Sequence, residues 1–203
     1  DENRYAVIFF NVQDKLTGEK SVRQALTYAI DKSKFNGPRA ISPISPNSWA
    51  YNPQVKPYTY DQERAKELIA DLPKELKEVL NVKLVTTPLL LATAEQIAKY
   101  WEEVGVKTTL QVSSSIPTDY QALLAIFDAP ADPDQYAIWH STQETTNISH
   151  YKNDRIDKLL EDGRTELNLT ERRKIYLDFQ RFLVEDSPAA FLYHPTTYTI
   201  SRK

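Results

Sequence analysis

Residues 81–112 constrain the fold more than any other stretch, because they read strand, helix, strand with almost no chain to spare. Val82 and Leu84 alternate with Asn81 and Lys83, the period of a β-strand, within residues 81–87. Leu90, Ala94, Ile97, Ala98, Trp101 and Val104 then fall on one side of a helix over residues 89–104. Gly105 stands where a glycine ends a helix, and residues 106–112 return to strand character. A helix of about a dozen residues carries the chain back to where the first strand began, so the two strands are expected to be parallel, joined by a right-handed crossover.

The remaining segments fit around such a unit. Residues 4–11 (RYAVIFFN) are aromatic and β-branched and read as a buried strand. Residues 21–30 carry Val22, Ala25, Leu26, Ala29 and Ile30, a helical stripe with one buried face. Asp31 is placed to cap a turn through Phe35, and Asp61 to cap a helix running to about Asp71. Between them, residues 36–60 hold Pro38, Pro43, Pro46, Pro53 and Pro57 with Trp49, Tyr51, Tyr58 and Tyr60 interspersed. Prolines at this density block regular structure, while the aromatics argue against disorder. A long ordered loop packed on the domain is expected.

Pro117 suits the first turn of a short helix. Residues 123–127 read as a brief strand opening into the acidic turn of residues 128–134. Two helices follow Tyr151, one with Ile156, Leu159, Leu160 and Leu167, the next starting after Thr170 and stopped by Ser187 and Pro188. Residues 189–193 and 197–201 are expected to close the chain as strands. The whole is an α/β lobe on a mixed sheet.

Several function classes are disfavoured at this level. The chain has 203 residues, a net charge of −3 and no basic stripe, so a nucleic-acid partner is not expected. No apolar run approaches the roughly 18 residues of a membrane helix. With 0 cysteines there is no thiolate metal site, disulfide or thiol nucleophile. With 0 methionines the chain is expected to be processed or excised from something longer. The 4 glycines form no phosphate-binding loop, and no cofactor is expected.

Candidate chemistry is sparse. His140 and His150 are not at a helical or zinc-motif spacing, and surface or cavity-wall histidines are the plainer reading. Asp132 and Asp134 bracket Pro133, which favours a turn. Asp128 follows a strand directly, the place where ligands meet α/β sheets, and an unpaired carboxylate there suits an ammonium group. A solvated loop acid is the equal alternative. Trp49, Tyr51 and Tyr58 read either as satellite core or as apolar wall at a cleft mouth.

An ordered series of segments resembles the family 5 solute-binding proteins, the peptide and nickel binders of ABC importers. SVRQALTYAIDK (21–32) is similar to the family's VRqAl.yAiDr signature. YNP (51–53) and YDQERAKEL (60–68), then IAKYWEEVGVKTTLQV (97–112), follow in the family's order. So do DPD (132–134), Asn147, YKN (151–153), DKLL (157–160) and residues 172–188. The resemblance spans nearly the whole chain. It implies the C-terminal lobe of a two-lobed, type II periplasmic-binding-protein fold over residues 1–203, with the N-terminal lobe and the returning tail absent. In peptide-binding members an aspartate shortly before the DP pair grips the peptide's α-ammonium, beside an aromatic. Phe127 and Asp128 lie nearest here, although Asp128 is one residue further from Pro133 than the family pattern has it.

The resemblance implies a non-enzymatic, substrate-binding component of an ABC importer. It would capture oligopeptides by clamshell closure and work outside the cytoplasm, in the periplasm or lipid-anchored at the cell surface. Its partners would be the missing lobe, a peptide ligand and a membrane permease, and a nickel complex is disfavoured by the histidine spacing. The ligand-binding residues expected are Asp128 and Phe127, Tyr5 and Tyr193 on hinge-proximal strands, Asn147 for peptide polar groups, and Trp49 and His140 as cavity wall. The rival from another class is a hydrolase or sugar-active enzyme using Asp128 with Asp132 or Asp134. A pure interaction domain would instead show a large exposed apolar patch.

Overall fold

The computed structural model of the chain describes residues 3–196, and the strand expected over residues 197–201 lies outside them. Strand β1 (Arg4–Phe10) is followed by helix α1 (Lys20–Tyr28), α2 (Gln62–Ala70) and the single turn α3 (Lys74–Lys77). Strand β2 (Asn81–Thr86), helix α4 (Leu91–Glu103) and strand β3 (Lys107–Val112) form the expected crossover unit. Strand β4 (Ala122–Asp128), the short α5 (Tyr136–Trp139), the long α6 (Asp154–Thr165) and α7 (Leu169–Asp186), and strand β5 (Ala189–Tyr193) complete the fold.

The five strands make one mixed sheet in the order β3-β2-β4-β1-β5. β2 runs parallel to β3 and to β4, while β1 is antiparallel to β4 and β5. The carboxyl ends of β2, β3, β4 and β5 therefore meet the amino end of β1 along one edge of the lobe. Gly105 ends the crossover helix at φ 87°, a left-handed conformation that costs glycine nothing.

Alternation in the central strands feeds two cores. Ala6, Ile8 and Phe10 face α1, α2 and α4, where Leu26, Ile69, Ile97 and Trp101 are buried. Trp101 also donates its indole N–H to the Leu26 carbonyl at 3.0 Å, so this large ring is buried with its polar group satisfied. Tyr5, Val7 and Phe9 face the opposite layer, built from α5, α6, α7 and the proline-rich loop. Each fully buried large apolar side chain contributes about 1.5–3 kcal/mol, so both layers are held by the sheet between them.

The proline-rich loop is ordered, as its aromatics predict: Ala40, Ile44, Ala50, Val55 and Tyr58 are buried. Gln180 of α7 anchors it. Its amide donates to the Ala50 and Tyr176 carbonyls and accepts from the Asn52 N–H and the Ser42 hydroxyl, at 2.7–3.1 Å. The loop also covers the edge of β5, with Ala40 N donating to Leu192 O and His194 N to Pro38 O. Gly37 permits this approach, because a Cβ there would lie 1.9 Å from the His194 carbonyl oxygen.

Three expectations are corrected. No helix forms at Pro117; residues 113–121 are bends and coil between β3 and β4. The first helix after Tyr151 stops at Thr165, leaving Leu167 96% exposed rather than on the buried stripe. The next helix begins at Leu169, earlier than expected, because Asn168 caps it by accepting from the Thr170 and Glu171 amides.

Candidate functional site

β4 outruns its parallel neighbour. Its pairing with β2 ends at Thr86 opposite Leu124, whereas its pairing with β1 continues to Arg4 opposite Asp128. Ala129 N donates to Asn3 O and Asn11 N to Gln121 O, so the odd-numbered residues of β4 direct their backbone groups at β1. Ile126 and Asp128 therefore turn their N–H and C=O groups to the other side. Among the described residues no strand pairs with β4 there.

A cleft opens on each face of this exposed strand end. One, of ≈ 240 Å³, lies over Phe9, Leu123 and Phe127 and is bounded by Thr86, Ser113 and Ile116. The other, of ≈ 370 Å³, is lined by Arg4, Asn36, Leu89, Thr93, Ile126 and Tyr193 among others. Leu89, 84% exposed, and Ile116 give the rim apolar surface. The loops after β2 and β3 supply these walls, the usual position for ligand contacts in open α/β sheets.

Tyr5, Phe127, Asp128 and Tyr193 are gathered at this end of the sheet. Tyr5 and Phe127 are cross-strand partners with ring centroids 5.5 Å apart, and burial pushes the Tyr5 hydroxyl above its ordinary pKa. Tyr193 owes its direction to an irregularity of the β1–β5 register between Ala6 and Val7. The extra residue turns Tyr193 onto the same face as Leu192, where it stacks on Phe35 at 5.3 Å with its hydroxyl 3.5 Å from that of Thr93.

The other three sit elsewhere. Trp49 packs edge-on against Tyr176 with the Arg172 guanidinium 5.5 Å from its ring. His140 is buried, stacked on Tyr136 at 4.0 Å, with its ring nitrogens 2.8 Å from the Thr142 hydroxyl and 3.3 Å from the Glu161 carboxylate. Asn147 spends its amide inside its own loop, donating to His140 O and Tyr151 O and accepting from Tyr151 N. It holds the loop that brings Ile148 to the smaller cleft.

The expectation of an unpaired Asp128 is corrected. The antiparallel register sets Arg4 directly opposite, and Arg4 Nε lies 2.6 Å from Asp128 Oδ1. Sequence reasoning missed Arg4 because its partner is brought near only by strand pairing. The acids of the turn are engaged as well. Arg172 forks onto both oxygens of Asp132 at 2.9 and 2.7 Å and holds that carboxyl below its ordinary pKa. Arg164 lies 3.0 Å from Asp134, which also caps the Tyr136 amide. Among the described residues no group of three or more histidine, aspartate or glutamate side chains is placed to hold a metal ion.

Solved structures of known proteins share this fold. The oligopeptide-binding protein AppA of Bacillus subtilis is 29% identical over 96% of this chain and 42% of its own length. Its structure in complex with a nonapeptide superposes with a TM-score of 0.85 at 26% identity, covering 95% of this chain and 45% of that one. NikZ from Campylobacter jejuni, solved in complex with Ni(L-His), gives a TM-score of 0.85 at 27% identity over 95% of this chain and 45% of that one. The chain thus spans about two fifths of the length of the curated relatives it matches. The model of the bacterial extracellular solute-binding proteins, family 5, matches residues 1–147. The chain belongs to that family of bacterial extracellular solute-binding proteins.

Proposed function

We propose that the chain is a ligand-binding lobe of an importer's solute-binding protein, and that it captures peptides in extended form along the open side of β4. The observation that carries this reading is the run at Ile126 and Asp128, unpaired among the described residues on the side away from β1, with a cleft on each face. A peptide laid beside that strand end satisfies its backbone groups there, as in recognition by strand addition. Successive side chains point to opposite faces and so fall alternately into the two clefts. Phe127, packed on the buried Tyr5, lines one cleft and Tyr193 walls the other.

A second lobe closing over the ligand adds contacts available only in the closed form, which shifts the population toward closure. Such a protein works outside the cytoplasm and delivers its ligand to a membrane permease. It needs no catalytic group. The hydrolase alternative has less support, because Asp128, Asp132 and Asp134 each face an arginine and none is left as a free acid–base pair. Calorimetric titration of the full-length protein with short peptides, followed by chromatography of the recovered peptide, tests the reading. Saturable binding with intact peptide is expected. Peptide cleavage, or no binding by any peptide in the set, overturns it.

A further inference from the structure

We infer that Arg4 is the ligand-facing charge of the strand-end site and that it recognises a carboxylate, with Asp128 as the residue that positions it. This rests on the ligand-binding reading above. The Nε atom of Arg4 is buried 2.6 Å from Asp128 Oδ1, an ion-pair contact off the hydrogen-bond direction, yet the Arg4 side chain is 43% exposed. Its exposure therefore belongs to the rest of the side chain. Arg4 has no hydrogen-bond partner for Nη1 or Nη2 among the described residues.

Arg4 lines the ≈ 370 Å³ cleft and, among the described residues, is the one charged side chain that does. Asp128, 71% exposed, is not part of that lining. The cleft thus presents a guanidinium edge, the neutral hydroxyls of Thr93 and Tyr193 at its side, and apolar surface from Leu89 and Ile126. A planar guanidinium with its outer nitrogens free matches a carboxylate, which accepts two parallel N–H bonds. Among the described residues this cleft offers an ammonium group no carboxylate, since Asp128 lies outside its lining.

The matching carboxylate is either the C-terminus of a peptide or an acidic side chain. Titration of the full-length protein with Ala-Ala-Ala, its C-terminal amide, and the amide of Ala-Glu-Ala separates the two. Amidation of Ala-Ala-Ala is expected to weaken binding at least tenfold, and the central Glu restores it only if side-chain carboxylates are accepted. Arg4→Gln is expected to erase the advantage of the acid over the amide. Equal binding of acid and amide by the unaltered protein overturns the inference and leaves peptide binding standing. Tightening of all three peptides by Arg4→Gln also overturns it, since that is the result of freeing Asp128 for the ammonium. Binding of none by a protein folded by circular dichroism removes the ligand-binding reading and this inference together.

Discussion

Arg4 and Asp128 face each other across the last antiparallel pair of β1 and β4, with Nε and Oδ1 2.6 Å apart. The pair is largely in solvent, and exposed ion pairs contribute about 0–1 kcal/mol. Stability is a poor reason for its presence beside the ≈ 370 Å³ cleft that Arg4 lines. Asp128→Asn is expected to shift the urea midpoint by less than about 1 kcal/mol of unfolding free energy. A loss several times larger shows that the pair is part of the packing, and any binding defect of the variant then loses its meaning.

Gln180 has the opposite character. It is fully buried, and its amide serves groups on the proline-rich loop and on α7 itself. Gln180→Leu keeps the volume but strands the Asn52 N–H and the Ala50 carbonyl, while the Ser42 hydroxyl keeps the Ile44 carbonyl as an acceptor. Each stranded buried group costs about 1–3 kcal/mol, so a total loss of about 2 kcal/mol or more is expected in equilibrium urea unfolding. A loss under about 1 kcal/mol means that the loop is not held through this side chain.

Lys32 supplies a pH dependence. It is buried beside Arg39, and its ammonium donates to the Thr27 and Tyr58 carbonyls. Burial first, and the Arg39 charge second, push its pKa well below the ordinary 10.5. Between that lowered value and 10.5 the unfolded chain holds a proton that the native lysine has released, so stability rises with pH through this window. Below it the lysine is charged in both states and its buried charge opposes folding. Relative to Lys32→Met, the unaltered protein is expected to gain stability as pH rises through this window towards 10.5. Parallel urea midpoints for the two proteins across that range contradict the assignment.

Two glycines separate conformational cost from collision. Gly105 lies at φ 87° with no atom within 4 Å of the place a Cβ would take, so Gly105→Ala is expected to cost only about 1–2 kcal/mol of backbone strain. At Gly37 the same methyl meets the His194 carbonyl oxygen at 1.9 Å. Gly37→Ala must therefore push the loop off the end of β5 and is expected to lower the thermal midpoint further than Gly105→Ala. Equal midpoints mean that this junction yields freely.

Much of the architecture was legible because it is written locally. The period-2 pattern of residues 81–87, the stripe from Leu90 to Val104 and the stop at Gly105 define the crossover without help from the rest of the chain. Asp31 and Asp61 cap their elements as their positions imply. The site was legible only in part. That Asp128 ends a strand could be read, but the arginine opposite it, the unequal lengths of β2 and β4, and the register irregularity that turns Tyr193 are products of pairing between distant segments. Pro117 carries a signal that suits a helix start and a turn equally, and the following residues lack the stripe that would decide for a helix.

The central claim is that a ligand occupies the open side of β4. Amide hydrogen exchange at Ile126 and Asp128, with and without a saturating peptide, tests it most directly. Binding along this strand end is expected to slow exchange at these two amides at least tenfold, because a ligand then fills the side that no strand covers among the described residues. Unchanged exchange at both, with binding of the same peptide established by calorimetry, places the ligand elsewhere and contradicts the account.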